Sequence, residues 1–264
     1  MPKAIGIYRE LKLAGKPGSD QRILDLTAQE LTKLGFETSN VFSEQFDFSQ
    51  PVDLVFTMAR GKEINDALFD KQNQGWFVIN APKAIRFSFD RKTTYLKMME
   101  LGANIPQTEF KKIEEVDFAS FNGPKILKPA NRHEFWFKVT TQEEFDKAMA
   151  EYKTQGIDEI LVQEFIIGES IKYYAIDGEV ILAPAAREKF QAQVSEINRQ
   201  VMLTKTATGL KIFGGDFIIS ETGVPYCVDA NDWPSMGSLE GFTQEEAAAK
   251  IAKLIEQEYN NFKK

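Results

Sequence analysis

Cysteine and histidine are nearly missing from this chain, with one of each in 264 residues. The lone Cys227 excludes an internal disulfide and, set in an apolar strand pattern, reads as a small buried residue. A single histidine, His133, excludes a zinc site built from several Cys and His ligands. Also missing is any apolar run near the roughly 18 residues of a membrane span, and the opening KAIGIY is too short and too soon charged for a signal peptide. A cytoplasmic protein is therefore expected, with no membrane partner. Basic excess is absent as well: 32 Lys and Arg stand against 39 Asp and Glu, a net charge of −7. That balance argues against general nucleic-acid binding, though a local basic pocket stays open. Internal repeats, low-complexity segments and coiled-coil runs are not found.

What is there suits a globular enzyme. The chain is 43% apolar and 27% charged, and its length suits two or three modest lobes rather than one core. The first third alternates strand and helix: KAIGIY, a helix capped at Ser19 or Asp20 and running to about Gly35, VDLVFTM, a helix from about Glu63 to Gln74, then WFVIN. That order implies a small parallel sheet, whose ligands gather beyond the carboxyl ends of its strands. Two loops there are basic, one with Arg9, Lys12 and Lys16 and one with Arg60 and Lys62. Loop lysines are commonly just solvated, but two such loops at one sheet edge make an anion site plausible chemistry.

A boundary near residue 85 follows Asn80-Ala81-Pro82, with a helix expected from about Phe89 to Leu101. The next stretch reads as strands PKILK and HEFWFKV, a helix capped by Thr141 with Glu144 in a capping box, and strand EILVQEFI. Lys128 ends an apolar strand, where a lysine either snorkels to water or offers a point charge to phosphate. SIKYYAID and EVILAPAAR meet at the turn Asp177-Gly178, which leaves Arg187 at the far end. A helical region from about Phe190 follows, and FTQEEAAAKIAKLIEQEYNNF closes the chain as an amphipathic helix capped by Thr243. Trp76, Trp136 and Trp233 read as core or lobe-interface residues.

The chemistry concentrates in IFGGDFIISETGVPYCVDANDWPSM, residues 212–236. Two apolar strands flank Glu221-Thr222-Gly223, so a hairpin centred between Thr222 and Gly223 sets Asp216 opposite Asp229. Asn231, two residues on, shares the face of Asp229. Opposed carboxylates repel unless a cation or proton lies between them. Asp216, Asp229 and Asn231 are thus either a hard-oxygen site suited to magnesium or plain strand-end polar residues.

The succession VINAPKAIRFSFDRKTTYLKMMELGANIPQT, PKILKP, ILVQEFIIGESIKYYAIDGEVI, GGDFIIS and YCVDANDWPSM resembles the ordered signatures of the ATP-grasp superfamily. With motifs from about 76 to 240 and a lobe pattern from residue 1, the resemblance covers nearly the whole chain. It implies an α/β (α+β) ATP-grasp fold in three lobes: a parallel-sheet lobe at 1–85, a central lobe at 86–166 and a C-terminal lobe at 167–264 carrying the metal hairpin, the last two clamping ATP. By position it places Arg91 and Lys128 on phosphates, Gln163, Glu164, Phe165 and Ile166 at the adenine hinge, Glu169 or Ser170 near the ribose and Arg187 near the transferred phosphate. Asp216, Asp229 and Asn231 fall on Mg2+, or Mn2+.

Two departures stand out. Arg91 replaces the lysine many members carry, and the flap PANRHEFWFKV contains no glycine, which leaves Arg132 and His133 as its groups placed to meet phosphate or substrate. The hinge and APAAR resemble those of ribosomal-protein glutamate ligases and glutathione synthetases, implying a carboxylate-amine ligase acting through an acyl phosphate, with an amine or amino-acid co-substrate. VINAPKAIRFSFDR, the run His133-Glu134-Phe135 and VDANDWPS are also similar to the inositol-polyphosphate kinases, a kinase being the alternative; a nucleotide-dependent binding module is a third. The expected acceptor is a small anion between Lys12, Lys16, Arg60, Lys62 and the nucleotide phosphates. Oligomeric state, a homo-oligomer included, is left open.

Overall fold

The computed structural model describes residues 1–13, 16–131 and 135–264. Arg132 and His133 lie outside the described residues. Three four-stranded sheets follow one another along the chain.

The first is parallel throughout. It contains β1 (Lys3–Tyr8), β2 (Glu37–Phe42), β3 (Leu54–Thr57) and β4 (Phe77–Ile79), in the order β2-β1-β3-β4. Helices α1 (Pro17–Lys33) and α2 (Lys62–Asn73) make the β1–β2 and β3–β4 crossovers. α1 begins earlier than expected because Pro17 occupies its first turn, where a missing N–H costs nothing. Asp20 is therefore not its cap but a buried residue of that turn, free to face Arg9. Strand β2 was not expected from its sequence, ETSNVF: it is a half-exposed edge strand with only a weak apolar signal.

Where one helix was expected after Pro82, the chain forms two, α3 (Pro82–Phe89) and α4 (Arg91–Glu100). Asp90 divides them: its backbone is extended and its carboxylate accepts from the Thr93 N–H at 2.9 Å, which caps α4. The Asn80 side chain is buried and ties the end of the first lobe to a distant segment, donating to Ile212 O and accepting from the N–H groups of Lys211 and Ile212.

The second sheet joins β5 (Thr108–Lys112), β6 (Lys125–Pro129), β7 (Phe137–Val139) and β8 (Glu159–Glu164), antiparallel in the order β5-β8-β6-β7. Helix α5 (Gln142–Thr154) covers it, and the Thr141 and Glu144 capping box forms as expected. Like β2, the unexpected β5 is a charged edge strand, TEFKK.

The third sheet joins β9 (Gly168–Ile176), β10 (Glu179–Leu182), β11 (Ile212–Ser220) and β12 (Pro225–Asp232) in the antiparallel order β10-β9-β11-β12. Asp177 and Gly178 turn β9 into β10 with φ of 48° and 93°, the positive values a two-residue hairpin turn asks for. Between β10 and β11 come α6 (Pro184–Lys189) and α7 (Val194–Thr208), so Arg187 sits on a short helix rather than at a strand end. The face of Tyr173, Phe213 and Phe217 packs against α3, α4 and α7 through Ala84, Ile85, Met98, Ile197 and Val201. The closing helix α8 (Gln244–Phe262) runs along α1, and Leu24, Leu31, Ile251, Ile255 and Trp233 share one core. Among the described residues no helix is long and apolar enough to cross a membrane.

Candidate active site

The second and third sheets face each other across a cavity of about 370 Å3. Its lining is divided. Ile126, Phe165, Ile166, Ile218 and Val228 make an apolar slot, while Arg91, Lys128, Asp216 and Asp229 bring charge to the same space.

Asp216 and Asp229 are paired across the β11–β12 ladder, as the hairpin arithmetic requires. The route to that pairing differs from the expected one. Near the turn Ile219 pairs with Pro225 and Phe217 with Cys227, so the hairpin is centred on Thr222, one half-step early. A β-bulge at Val228 adds one residue to β12 and restores the register before Asp229 is reached. Close strand approach here depends on glycine: a Cβ on Gly215 would lie 2.0 Å from the Asp229 carbonyl oxygen. Asn231 donates from Nδ2 to Asp229 Oδ2 at 2.6 Å, so the three residues form one cluster of oxygen-bearing side chains.

Lys172, which sequence reasoning missed, extends the row. It pairs with Asp216 in the β9–β11 register, and its ammonium lies 2.9 Å from Asp216 Oδ1. Lys172, Asp216 and Asp229 therefore stand side by side across three strands. Alternation along SIKYYAID, paired with IFGGDFIIS, carried the signal for it.

Lys128 is buried at 6% exposure and uses all three ammonium hydrogens within the protein. It donates to Val228 O at 2.7 Å, to Gln163 Oε1 at 3.0 Å and to the Tyr95 hydroxyl at 3.4 Å. Burial, followed by the positive charge of Arg91, pushes its pKa down to about 8. Arg91, also buried, follows the Asp90 cap as the first residue of α4 and donates to Pro129 O. The Gln163 amide is fixed from its other end by Nε2 donating to Thr108 Oγ1 at 2.9 Å. The N–H groups of Glu164 and Phe165 are committed to Gln107 O and Pro124 O, so of that segment Ile166 remains to offer a donor to a ligand edge.

Other expected positions fall elsewhere. Ser170 lines the cavity, but Glu169 does not; it is paired with Lys189. Arg187 stands exposed on α6, outside the cavity lining. Trp136, expected in a core or interface, is 57% exposed and lines the cavity.

The four loop cations do not converge on one open pocket. Arg60 is committed to Asp232, with Nε 2.6 Å from Oδ1. Lys62 pairs with Asp66 on the surface, and Lys12 and Lys16 are exposed. Instead, the buried centre at this sheet edge is Arg9, which meets Asp20 Oδ2 at 3.2 Å and donates to the carbonyls of Asp232 and Trp233. With Glu10 accepting from the N–H groups of Arg60 and Gly61, two guanidiniums there face three carboxylates.

No family model and no curated protein matches the chain. Among solved structures, D-alanine–D-alanine ligase from Bacillus anthracis superimposes with a TM-score of 0.76 at 14% identity, covering 99% of this chain and 98% of that one. The same enzyme complexed with ATP gives 0.72 at 14% identity, over 99% of each chain. A RimK domain protein ATP-grasp from Sphaerobacter thermophilus DSM 20745 gives 0.73 at 16% identity, over 96% of this chain and 99% of that one. The chain has the ATP-grasp fold. In this chain the antiparallel second and third sheets border the cavity, and the first sheet is parallel.

Proposed function

We propose that the protein is a Mg-ATP-dependent carboxylate-amine ligase acting on a small anionic acceptor. The observation that carries this reading is the divided cavity, in which an apolar slot meets buried cations on one side and two opposed carboxylates on the other. A nucleotide needs those three surfaces together: a flat apolar space for a base, cations for phosphates and hard oxygens for magnesium. D-alanine–D-alanine ligase from Bacillus anthracis, which shares the fold, is also solved complexed with ATP.

In this reading Lys128 and Arg91 meet phosphate, the segment from Gln163 to Ile166 borders the base, and Ser170 lies toward the ribose. The donor set of Asp216, Asp229 and Asn231 suits Mg2+, or Mn2+, because all three offer hard oxygen and two of them are carboxylates. ATP supplies the transferable phosphoryl group and the metal neutralises its charge. Neither role requires a nucleophilic or acid–base triad, which agrees with a chain nearly devoid of His and Cys. Arg187 reaches the transferred phosphate only if α6 approaches the cavity on closure.

Lys128 provides the first test. Lys128→Ala is expected to weaken ATP by about 1 to 3 kcal/mol, the scale of a charge-assisted contact, as read by calorimetry. In the parent, phosphate requires the ammonium form. ATP affinity should therefore be level below the lysine pKa of about 8 and fall roughly tenfold per pH unit above it, until the bound-state pKa is reached. Affinity that stays flat through that range places Lys128 away from phosphate.

The reaction class is separated by chemistry. Enzyme, Mg-ATP and pools of amino acids, dicarboxylates and sugar phosphates, followed by ADP release and product mass, identify the acceptor. Hydroxylamine then traps an acyl phosphate as a hydroxamate, whereas a phosphorylated alcohol yields none. A hydroxamate is the expected result; a phosphorylated product stable to hydroxylamine makes the enzyme a kinase. The structure favours the ligase on one count: a polyphosphorylated acceptor needs several open cations, and Arg60 is already held by Asp232. With Lys62 held by Asp66 as well, Lys12 and Lys16 are the exposed members of that set left to meet a singly charged acceptor.

A further inference from the structure

Lys128 has a structural difficulty as a phosphate ligand. Its three N–H groups already have three acceptors, so contact with a phosphate means giving one of them up. The most easily yielded is the longest, to the Tyr95 hydroxyl at 3.4 Å. The shortest is to Val228 O, and that carbonyl has a particular origin. Asp216 pairs with Asp229 and Phe217 with Cys227, so Val228 is the extra residue of the bulge and has no partner on β11. Its carbonyl turns instead toward the cavity and needs a donor from outside the ladder. Stripping a half-buried carbonyl of its donor also costs free energy, so the Val228 bond resists being given up.

Tyr95 meets that need. It lies on α4 at 3% exposure and donates its hydroxyl to the same Val228 O at 2.6 Å. The Lys128 ammonium is also 5.7 Å from the centre of its ring, within reach of the cation–π attraction. We propose that Tyr95 is the positioning residue for Lys128: it keeps the half-buried bulge carbonyl of Val228 satisfied, so the ammonium can exchange a protein acceptor for phosphate without orphaning that carbonyl. Tyr95 touches no phosphate itself. Helix α4, the bulged strand β12 and strand β6 are thereby joined at one atom, Val228 O, and the two lobes that border the cavity are pinned together there. The role rests on the reading of Lys128 as a phosphate contact.

The test uses the intact chain and three variants, Tyr95→Phe, Lys128→Ala and the double. Phenylalanine keeps the ring and removes only the hydroxyl. Affinities for ATP, ADP and adenosine are measured by calorimetry and ligand-observed NMR. Tyr95→Phe is expected to weaken ATP and ADP about tenfold, the scale of a hydrogen bond to a charged group, and to leave adenosine unchanged. In the Lys128→Ala background the same change should have no further effect, because the group it positions is gone. Unchanged ATP affinity in Tyr95→Phe overturns the role. So does an equal loss for ATP and adenosine, or an equal loss in both backgrounds, since either is what a merely structural tyrosine would produce. A parent protein that binds neither ATP nor adenosine removes the nucleotide reading, and this role with it.

Discussion

Asp229→Asn is expected to abolish the contribution of magnesium to ATP binding and turnover while leaving the chain folded. Asp229 stands opposite Asp216, whose Oδ1 meets the ammonium of Lys172 from the next strand. Asn231 donates to Asp229 Oδ2, so two carboxylates and an amide bring their oxygens together there. Changing Asp229 to the neutral amide keeps its shape but removes the charge that a divalent ion requires. Loss of several kcal/mol of charge stabilisation, at about 1.4 kcal/mol per decade, corresponds to a fall in turnover of roughly a thousandfold. Stability should hold or rise, because cross-strand opposition of like charges is relieved. Two measurements check this without knowledge of the acceptor: the gain in ATP affinity on adding Mg2+, and the melting temperature without nucleotide. A variant that keeps the parent's magnesium gain shows that the metal lies elsewhere.

The same pair shows what can be read from the chain alone. Alternation and a turn signal were enough to set Asp216 against Asp229, yet the turn is centred one half-step from its expected place and the bulge at Val228 cancels the offset. A bulge is chosen by the fit of two strands to their neighbours, here β9 beside β11 and helices α3 and α7 against β12, and no local motif announces it. Long periodic helices such as α5 and α8, each with a capping box, were legible because their signals are local. Edge strands β2 and β5 were not: ETSNVF and TEFKK are polar, and only the open side of a sheet made them strands. Lysines and arginines behaved in the same way. Position after a parallel strand marked Arg60 as a candidate anion ligand, but its partner Asp232 is 172 residues away and only the fold brings them together. Tyr95 lies inside one of the signature-like stretches, yet nothing local marks its hydroxyl, because the carbonyl that accepts it is 133 residues away on β12.

Arg9→Ala is expected to destabilise the protein by about 3 to 5 kcal/mol, the cost of removing one partner from a buried ion network. Arg9 follows β1 and is buried, yet its guanidinium reaches α1 through Asp20 and the end of β12 through the carbonyls of Asp232 and Trp233, the latter at 2.7 Å. Truncation strands the Asp20 carboxylate, leaves Asp232 to Arg60 alone and removes a donor from the Trp233 carbonyl. For a chain of this size that loss lowers the melting temperature by roughly ten degrees, at about 2 to 4 °C per kcal/mol. The pH dependence has a definite sign. Burial raises the Asp20 pKa even in the parent, with Arg9 the largest opposing influence, so without Arg9 it rises further. A carboxyl whose folded pKa exceeds its unfolded value binds more protons in the folded state, so its destabilising effect is full at neutral pH and shrinks as pH falls through the folded value toward about 3.9. The gap between parent and variant should therefore narrow on acidification. Urea titrations at neutral and mildly acidic pH measure it directly. A gap that is small, or that widens in acid, would mean that Arg9 serves as a movable ligand at the sheet edge and not as the tie between the first lobe and the strand that carries Asp229 and Asn231.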